Sequence, residues 1–197
     1  MPVREPGRTL GELDLLLECA GQYIHMELAI KFYLGWQEGQ EDVQWIGPDG
    51  QDRLQQKISH LREHQLVLPR STAAQATLAA MGIGRPEPAC WLGGYFFYPW
   101  PHRLNVPAEA DPGHNAGHWL YPHQWSEFSA GQQWHILPRA NWLSPADLHA
   151  MPAQALDPFN PADTSMRRAH MLVRLDEAGR EVERAVIVPS HWPLPAP

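Results

Sequence analysis

Four charged side chains stand out near the start of the chain because they interrupt two strongly apolar segments. Glu12 and Asp14 lie in Thr9–Leu17, and Glu27 and Lys31 lie in Gln22–Tyr33. In an extended strand even separations share a face, so each pair projects to one side of its strand. Carboxylates in apolar surroundings are costly unless they are paired, hydrogen-bonded or bound to a cation. Two or three of them suit Mg²⁺ or Mn²⁺, which prefer oxygen ligands. A neighbouring lysine supplies charge to position water or to stabilise a phosphate as negative charge develops. The pattern therefore reads as a Mg (or Mn) site with Glu12, Asp14 and Glu27 as metal ligands and Asp14, Glu27 and Lys31 as the catalytic group. The alternative is an ion-pair network that fixes strand register and holds no metal.

The elements that must position these residues are read from periodicity. Thr9–Leu17 alternates at strand period, with Leu10, Glu12, Asp14 and Leu16 on one face. After a short Ala20-Gly21 turn, Gln22–Tyr33 reads as a second strand, and the short connection predicts an antiparallel hairpin. Val43–Ile46 is a third strand candidate, stopped by Gly47-Pro48-Asp49-Gly50. From Asp52 the period turns helical, with Leu54, Ile58, Leu61 and Gln65 on one side and Asp49 or Asp52 as cap. Ser71–Met81 reads as a second helix, capped by Ser71 and closed by Gly82. Ala89–Trp100 reads as a buried strand. Gly117–Tyr121 and Gln133–Leu137 are short strand candidates in a Pro-, His- and Trp-rich stretch. His170–Leu175 and Glu183–Val188 flank Asp176-Glu177-Ala178-Gly179 as a closing hairpin, and the tail His191–Pro195 reads as irregular.

Taken together, Gly11-Glu12-Leu13-Asp14-Leu15-Leu16 followed by Glu27-Leu28-Ala29-Ile30-Lys31 resembles the signature of the PD-(D/E)XK nuclease superfamily. Further segments are similar to the bacterial family labelled domain of unknown function 1853 (DUF1853): Trp45-Ile46-Gly47-Pro48, Asp52-Arg53-Leu54, His64-Gln65-Leu66, Phe97-Tyr98-Pro99-Trp100 and Val188-Pro189. The superfamily resemblance implies an α+β fold: a restriction-endonuclease-like core with a central mixed β-sheet and flanking helices, plus a β-rich C-terminal extension. It also implies divalent-metal-dependent hydrolysis of nucleic acid. Two departures weigh against activity. The superfamily pattern has its acid two residues before the lysine, where this chain has Ala29. Glu27 lies one alternation back, a displacement of roughly 6–7 Å at ~3.3 Å per residue, large against Mg–O distances near 2.1 Å. The superfamily core also begins with a helix, and only eight residues precede Thr9, so a truncated start is expected. A catalytically degenerate module that binds nucleic acid or a protein partner is the competing expectation.

Arg53 and Lys57, with His60 and His64, recur at helical spacing. This is a candidate nucleic-acid-binding stripe for phosphate oxygens, or simply a solvated helix face. His114, His118 and His123 have the count of a zinc site but lack the helical i, i+4 spacing of a zincin motif. They too read as hydrogen-bonded loop residues.

Composition sets the outer bounds. The 197 residues, with 44% hydrophobic and 19% charged, describe a globular chain expected to be one domain, in which the resemblance implies a nuclease-like core over residues 9–100 and a Pro-, His- and Trp-rich C-terminal elaboration over 101–197. Glycine (15) and proline (20) make it loop-rich without reaching the roughly 25–30% of low-complexity sequence. A net charge of −7 opposes a nucleic-acid-coating role, so any such contact must be local. Two distant cysteines, Cys19 and Cys90, exclude a disulfide framework and fit a cytoplasmic location. No apolar run nears the ~18 residues of a membrane span, and no secretory leader is evident. The nine tryptophans read as packing anchors.

Overall fold

The structure, a computed structural model, describes residues 1–108, 110–149, 156–160 and 166–193. It is a mixed α+β fold with a central mixed sheet and few helices. The expected tail His191–Pro195 runs beyond the described residues after 193. The chain divides into two compact units, Met1–Lys31 with Gln55–Gly93 and Phe32–Leu54 with Gly94–Pro197. Residues 32–54 go with the C-terminal part, so the boundary between these units differs from the expected division into a 9–100 core and a 101–197 elaboration.

In the first unit, β1 (Pro2–Glu5) and β2 (Arg8–Glu12) form a two-stranded antiparallel sheet, with Pro2 opposite Glu12. The residues before Thr9 thus form a strand. The continuous strand expected over Thr9–Leu17 is interrupted, and β3 (Leu15–Cys19) begins only after Leu13 and Asp14. The reason lies in backbone pairing and burial. Met1 and Leu13 exchange both main-chain bonds, at 2.6 and 2.8 Å, and Leu13 is buried with Val3, Ala74 and Leu78. That cluster includes the inner side of α2 (Thr72–Ala80). Both ends of α2 follow the expected chemistry. Ser71 Oγ accepts from Ala74 N at 3.2 Å. At the other end, Gly82 has φ +73°, while its N–H and that of Ile83 reach the carbonyls of Ala79 and Leu78.

β3 pairs antiparallel with β4 (Gln22–Trp36), Leu15 opposite Met26 and Cys19 opposite Gln22, which leaves the predicted two-residue turn Ala20-Gly21. Both turn residues have positive φ, 51° and 80°. This is the backbone that matches strand twist in a tight hairpin. The helix expected from Asp52 is α1 (Leu54–His60), continued by one π-turn over Leu61–Gln65 in which Leu66 N reaches Leu61 O at 2.9 Å. Asp49 Oδ1 accepts from Gln51 N and Asp52 N, bracing the preceding turn.

The second unit contains the end of β4, β5 (Gln44–Ile46), the end of β6 (Glu87–Pro99), β7 (Asn115–Leu120), α3 (Trp125–Ser129), β8 (His135–Ile136), β9 (Asp157–Pro158), β10 (His170–Leu175) and β11 (Glu181–Ile187). The strand order is β6-β7-β11-β10-β8-β9. β7 runs parallel to both neighbours and the other pairs are antiparallel. Met171, Val173 and Val186 enter one apolar cluster, whereas Leu172, Ala185 and Ile187 enter another. The sheet is therefore buried on both faces here, which is why Met171–Val173 and Ala185–Ile187 are unbroken apolar runs. Trp45, Trp119, Trp125, Trp134 and Trp192 are buried here, as expected of packing anchors.

Candidate functional site

The geometry of the first unit builds a polar centre on one face of β4. Period two puts His25, Glu27, Ala29 and Lys31 on the same side, and Leu28 and Ile30 on the other. Leu28 and Ile30 are exposed, whereas His25 and Glu27 are fully buried. The polar face of β4 is thus the inner one, an inversion of the usual pattern that requires every buried polar atom to find a partner.

Glu27, 1% exposed, finds partners on both oxygens, and its carboxyl also takes a hydrogen bond from the Asp14 backbone. His25 Nε2 donates to Glu27 Oε1 at 2.8 Å. Gln65 Nε2 donates to Glu27 Oε2. Gln65 Oε1 in turn accepts from Lys57 Nζ at 2.7 Å. The π-turn supplies Gln65, which is the kind of helix irregularity that often presents a functional side chain. His25 Nδ1 is buried without a hydrogen-bond partner.

Asp14 enters from the junction between β2 and β3. Its Oδ2 accepts from Leu28 N at 3.1 Å, which fastens the carboxylate beside Glu27. Continuing the β3–β4 register one step past Leu15 and Met26 brings Asp14 to the level of Glu27. The Glu27 carboxyl is pushed above its ordinary value of 4.5, first by burial and next by the like charge of Asp14. The hydrogen bond and charge of His25 oppose that shift. The exposed Asp14 carboxylate is therefore close enough for its charge to oppose ionisation of the buried Glu27.

Of the expected residues, Asp14 and Glu27 come together and Lys31 lies on the same β4 face as Glu27, partly buried. Glu12 does not join them. The break at Leu13 places it at the exposed end of β2, paired across to Pro2, so its shared face with Asp14 is lost. Among the described residues no three His, Cys, Asp or Glu side chains converge as a metal-binding group. The triad Glu12, Asp14 and Glu27 is accordingly reduced to the last two.

Two carboxylates still fit a small hard cation. Each carboxylate has about four acceptor positions. Hydrogen bonds from His25, Gln65 and the Asp14 backbone use three on Glu27, and that from Leu28 N uses one on Asp14. Mg²⁺ is commonly held by one or two carboxylates, with water and substrate phosphate completing its shell. Protein hydrogen bonds that orient a ligating carboxylate, as His25 and Gln65 orient Glu27, are usual in such sites. Gln65 was legible on the apolar side of its helix, but His25 lies opposite the apolar stripe of its strand, so neither its burial nor the role of the two in holding Glu27 could be read.

The candidate basic stripe is put to local use. Arg53 Nη1 donates to Gly50 O at 2.7 Å and to Asp52 O at 3.3 Å, fastening the Gly47–Asp52 turn. Lys57 is turned onto Gln65, and the His60 and His64 rings lie 5.0 Å apart. The three loop histidines do not share a point. His114 donates from Nδ1 to Asp111 O at 2.7 Å and accepts from Tyr98 OH at 2.9 Å; His123 stacks on Tyr121; His118 sits 3.7 Å from Glu183.

Sequence reading also missed Arg184. It is 2% exposed and stands over the Tyr95 ring at 4.4 Å. It donates to Glu181, to Ser144 O at 2.8 Å and to Trp142 O. This is a scaffold contact: a buried cation neutralised by Glu181, which also accepts from Ala146 N at 2.6 Å.

No helix among the described residues is long and apolar enough to cross a membrane. Neither the curated proteins nor the solved structures include a match to this chain. The model of the domain of unknown function DUF1853 matches residues 1–188, and the chain belongs to that family.

Proposed function

We propose that the protein is a divalent-metal-dependent nuclease hydrolysing phosphodiester bonds, built on a restriction-endonuclease-like core. The observation that carries this reading is the Asp14–Glu27 juxtaposition, two acids held side by side on the β4 face that also bears Lys31. Asp14 and Glu27 would hold Mg²⁺ or Mn²⁺. The bound ion would polarise a phosphate oxygen and lower the pKa of a water nucleophile. His25 and Gln65 keep the Glu27 carboxylate aimed, and the Leu28 amide does the same for Asp14. Lys31, two alternations from Glu27, would steady the attacking water or the charge developing on the phosphate.

The test is cleavage of single- and double-stranded DNA and RNA with Mg²⁺ or Mn²⁺, using the parent, Lys31→Met and Asp14→Asn. Cleavage that needs the metal and falls at least about a hundredfold in both variants is expected, the scale of losing one transition-state contact. Cleavage unchanged in Asp14→Asn would remove these residues from the chemistry.

A second reading keeps the same architecture without catalysis, as a module binding nucleic acid or a protein. Ala29 at the position where the superfamily places its acid, and the commitment of both Glu27 oxygens to protein donors, favour it. Metal-independent binding without cleavage would support it.

A further inference from the structure

We infer that the outer face of the sheet formed by β3, β4 and the start of β6 is the docking surface for a second copy of this chain. The register of β3 on β4 sets Leu15 opposite Met26 and Leu17 opposite Ile24, so these four share a side with Leu28 and Ile30. Phe32 of β4 stacks on Tyr95 of β6, the next strand. Even positions of β4 and odd positions of β6 therefore share that side, Trp91 among them. The opposite side of β4 carries the buried His25 and Glu27. A sheet with one face in the core commonly turns polar side chains to water on the other. Here the outward face is apolar: Leu17 is 36% exposed, Leu28 45%, Ile30 50% and Trp91 50%. The Trp91 ring lies over Gly93, whose missing Cβ leaves room for it.

Two properties of the face select a second copy as its occupant. The first is size. Leu15, Ile24 and Met26 are partly exposed between these side chains, and together they form an apolar patch on the order of 400–500 Å², the extent that marks an interaction surface. A standard interface buries about 800 Å² per partner, of which about 65% is apolar in homodimers. The patch supplies close to the whole apolar share of one such half, and an identical face supplies the other. The second property is charge. None of these side chains is charged, so the face offers no ion pair to nucleic acid, an acidic peptide or a lipid headgroup. A copy of the same face covers it without burying an unpaired charge. Two such sheets pack about 10 Å apart around a two-fold axis. The net charge of −7 on each chain opposes their approach at long range, so this dimer tightens as salt screens the repulsion. Because Glu27 lies on the other side of β4, the inference does not rest on the proposed metal site.

The experiment is sedimentation velocity of the full chain across the micromolar range, in EDTA, at low and at high salt. The parent is expected to pass from monomer to dimer with a midpoint in the micromolar range or below, and to associate more tightly at high salt. Ile30→Lys sets like charges against each other across the covered face and should weaken the dimer at least about a hundredfold. Leu28→Thr keeps strand propensity while removing apolar surface from both copies, and should weaken it at least about fivefold. Circular dichroism verifies the fold of both variants, and Leu28→Thr carries the comparison if Ile30→Lys does not fold. A parent that stays monomeric throughout, a dimer indifferent to the substitutions, or one that salt dissociates overturns the inference. So does a monomer that floats with neutral phosphatidylcholine vesicles, because lipid and not a second copy would then cover the face.

Discussion

At the scale of single residues, the central feature is an acid made harder to ionise by its surroundings. Glu27 is buried and feels the charge of Asp14, and both effects raise its pKa above 4.5. An acid whose folded pKa exceeds its unfolded value holds more protons when folded, so ionising it costs stability. That cost is absent below the ordinary value and grows as pH rises through the raised one. Acidification from neutrality therefore relieves it, and a cation held by the two acids, as proposed, would relieve it without acid. A carbon-13 NMR titration of the Glu27 carboxyl should show a midpoint above 4.5 that moves down in Asp14→Asn. A midpoint at or below 4.5, or one indifferent to Asp14, would contradict the electrostatic description. The acids themselves were legible in the sequence because charge in an apolar strand is conspicuous. Their partners were less so: Gln65 was readable as an inward helix position, but nothing in the chain before folding ties it to a strand 38 residues away.

At the scale of elements, periodicity recovered the β3–β4 hairpin, both α-helices of the first unit and the closing β10–β11 hairpin, because each buries a regular stripe or carries a recognisable cap. It failed at Leu13. The alternation there continues unbroken, and only the pairing of β1 with β2 divides the segment. One residue, Leu13, is drawn into the cluster under α2, and the consequence reaches the site: Glu12 is carried away from Asp14. The hairpin turn offers a direct check on the local reading. Ala20 adopts φ 51°, a conformation that costs a non-glycine residue roughly 1–2 kcal/mol. Ala20→Gly should relieve about 1 kcal/mol of it and raise the melting temperature by about 2–4 °C, read by calorimetry. A lower melting temperature would mean that the left-handed turn is absent in solution.

At the scale of the whole molecule, length and composition were consistent with a globular α+β chain, but they did not reveal that residues 32–54 belong with the C-terminal part. Interleaving of that kind leaves no mark on composition, since β4 and β6 each run unbroken through a unit boundary. The acidic net charge of −7 also takes on a more local meaning. It gives no general attraction to nucleic acid, so a nuclease of this kind needs a bound cation to bring a phosphate to Asp14 and Glu27. The most direct measurement is calorimetric titration of Mn²⁺ into the parent and into Asp14→Asn, with folding of both verified by circular dichroism. Saturable binding to the parent, lost or at least about tenfold weaker in Asp14→Asn, is the predicted result. No binding to the folded parent, or equal binding to both proteins, would contradict a metal site at these two acids.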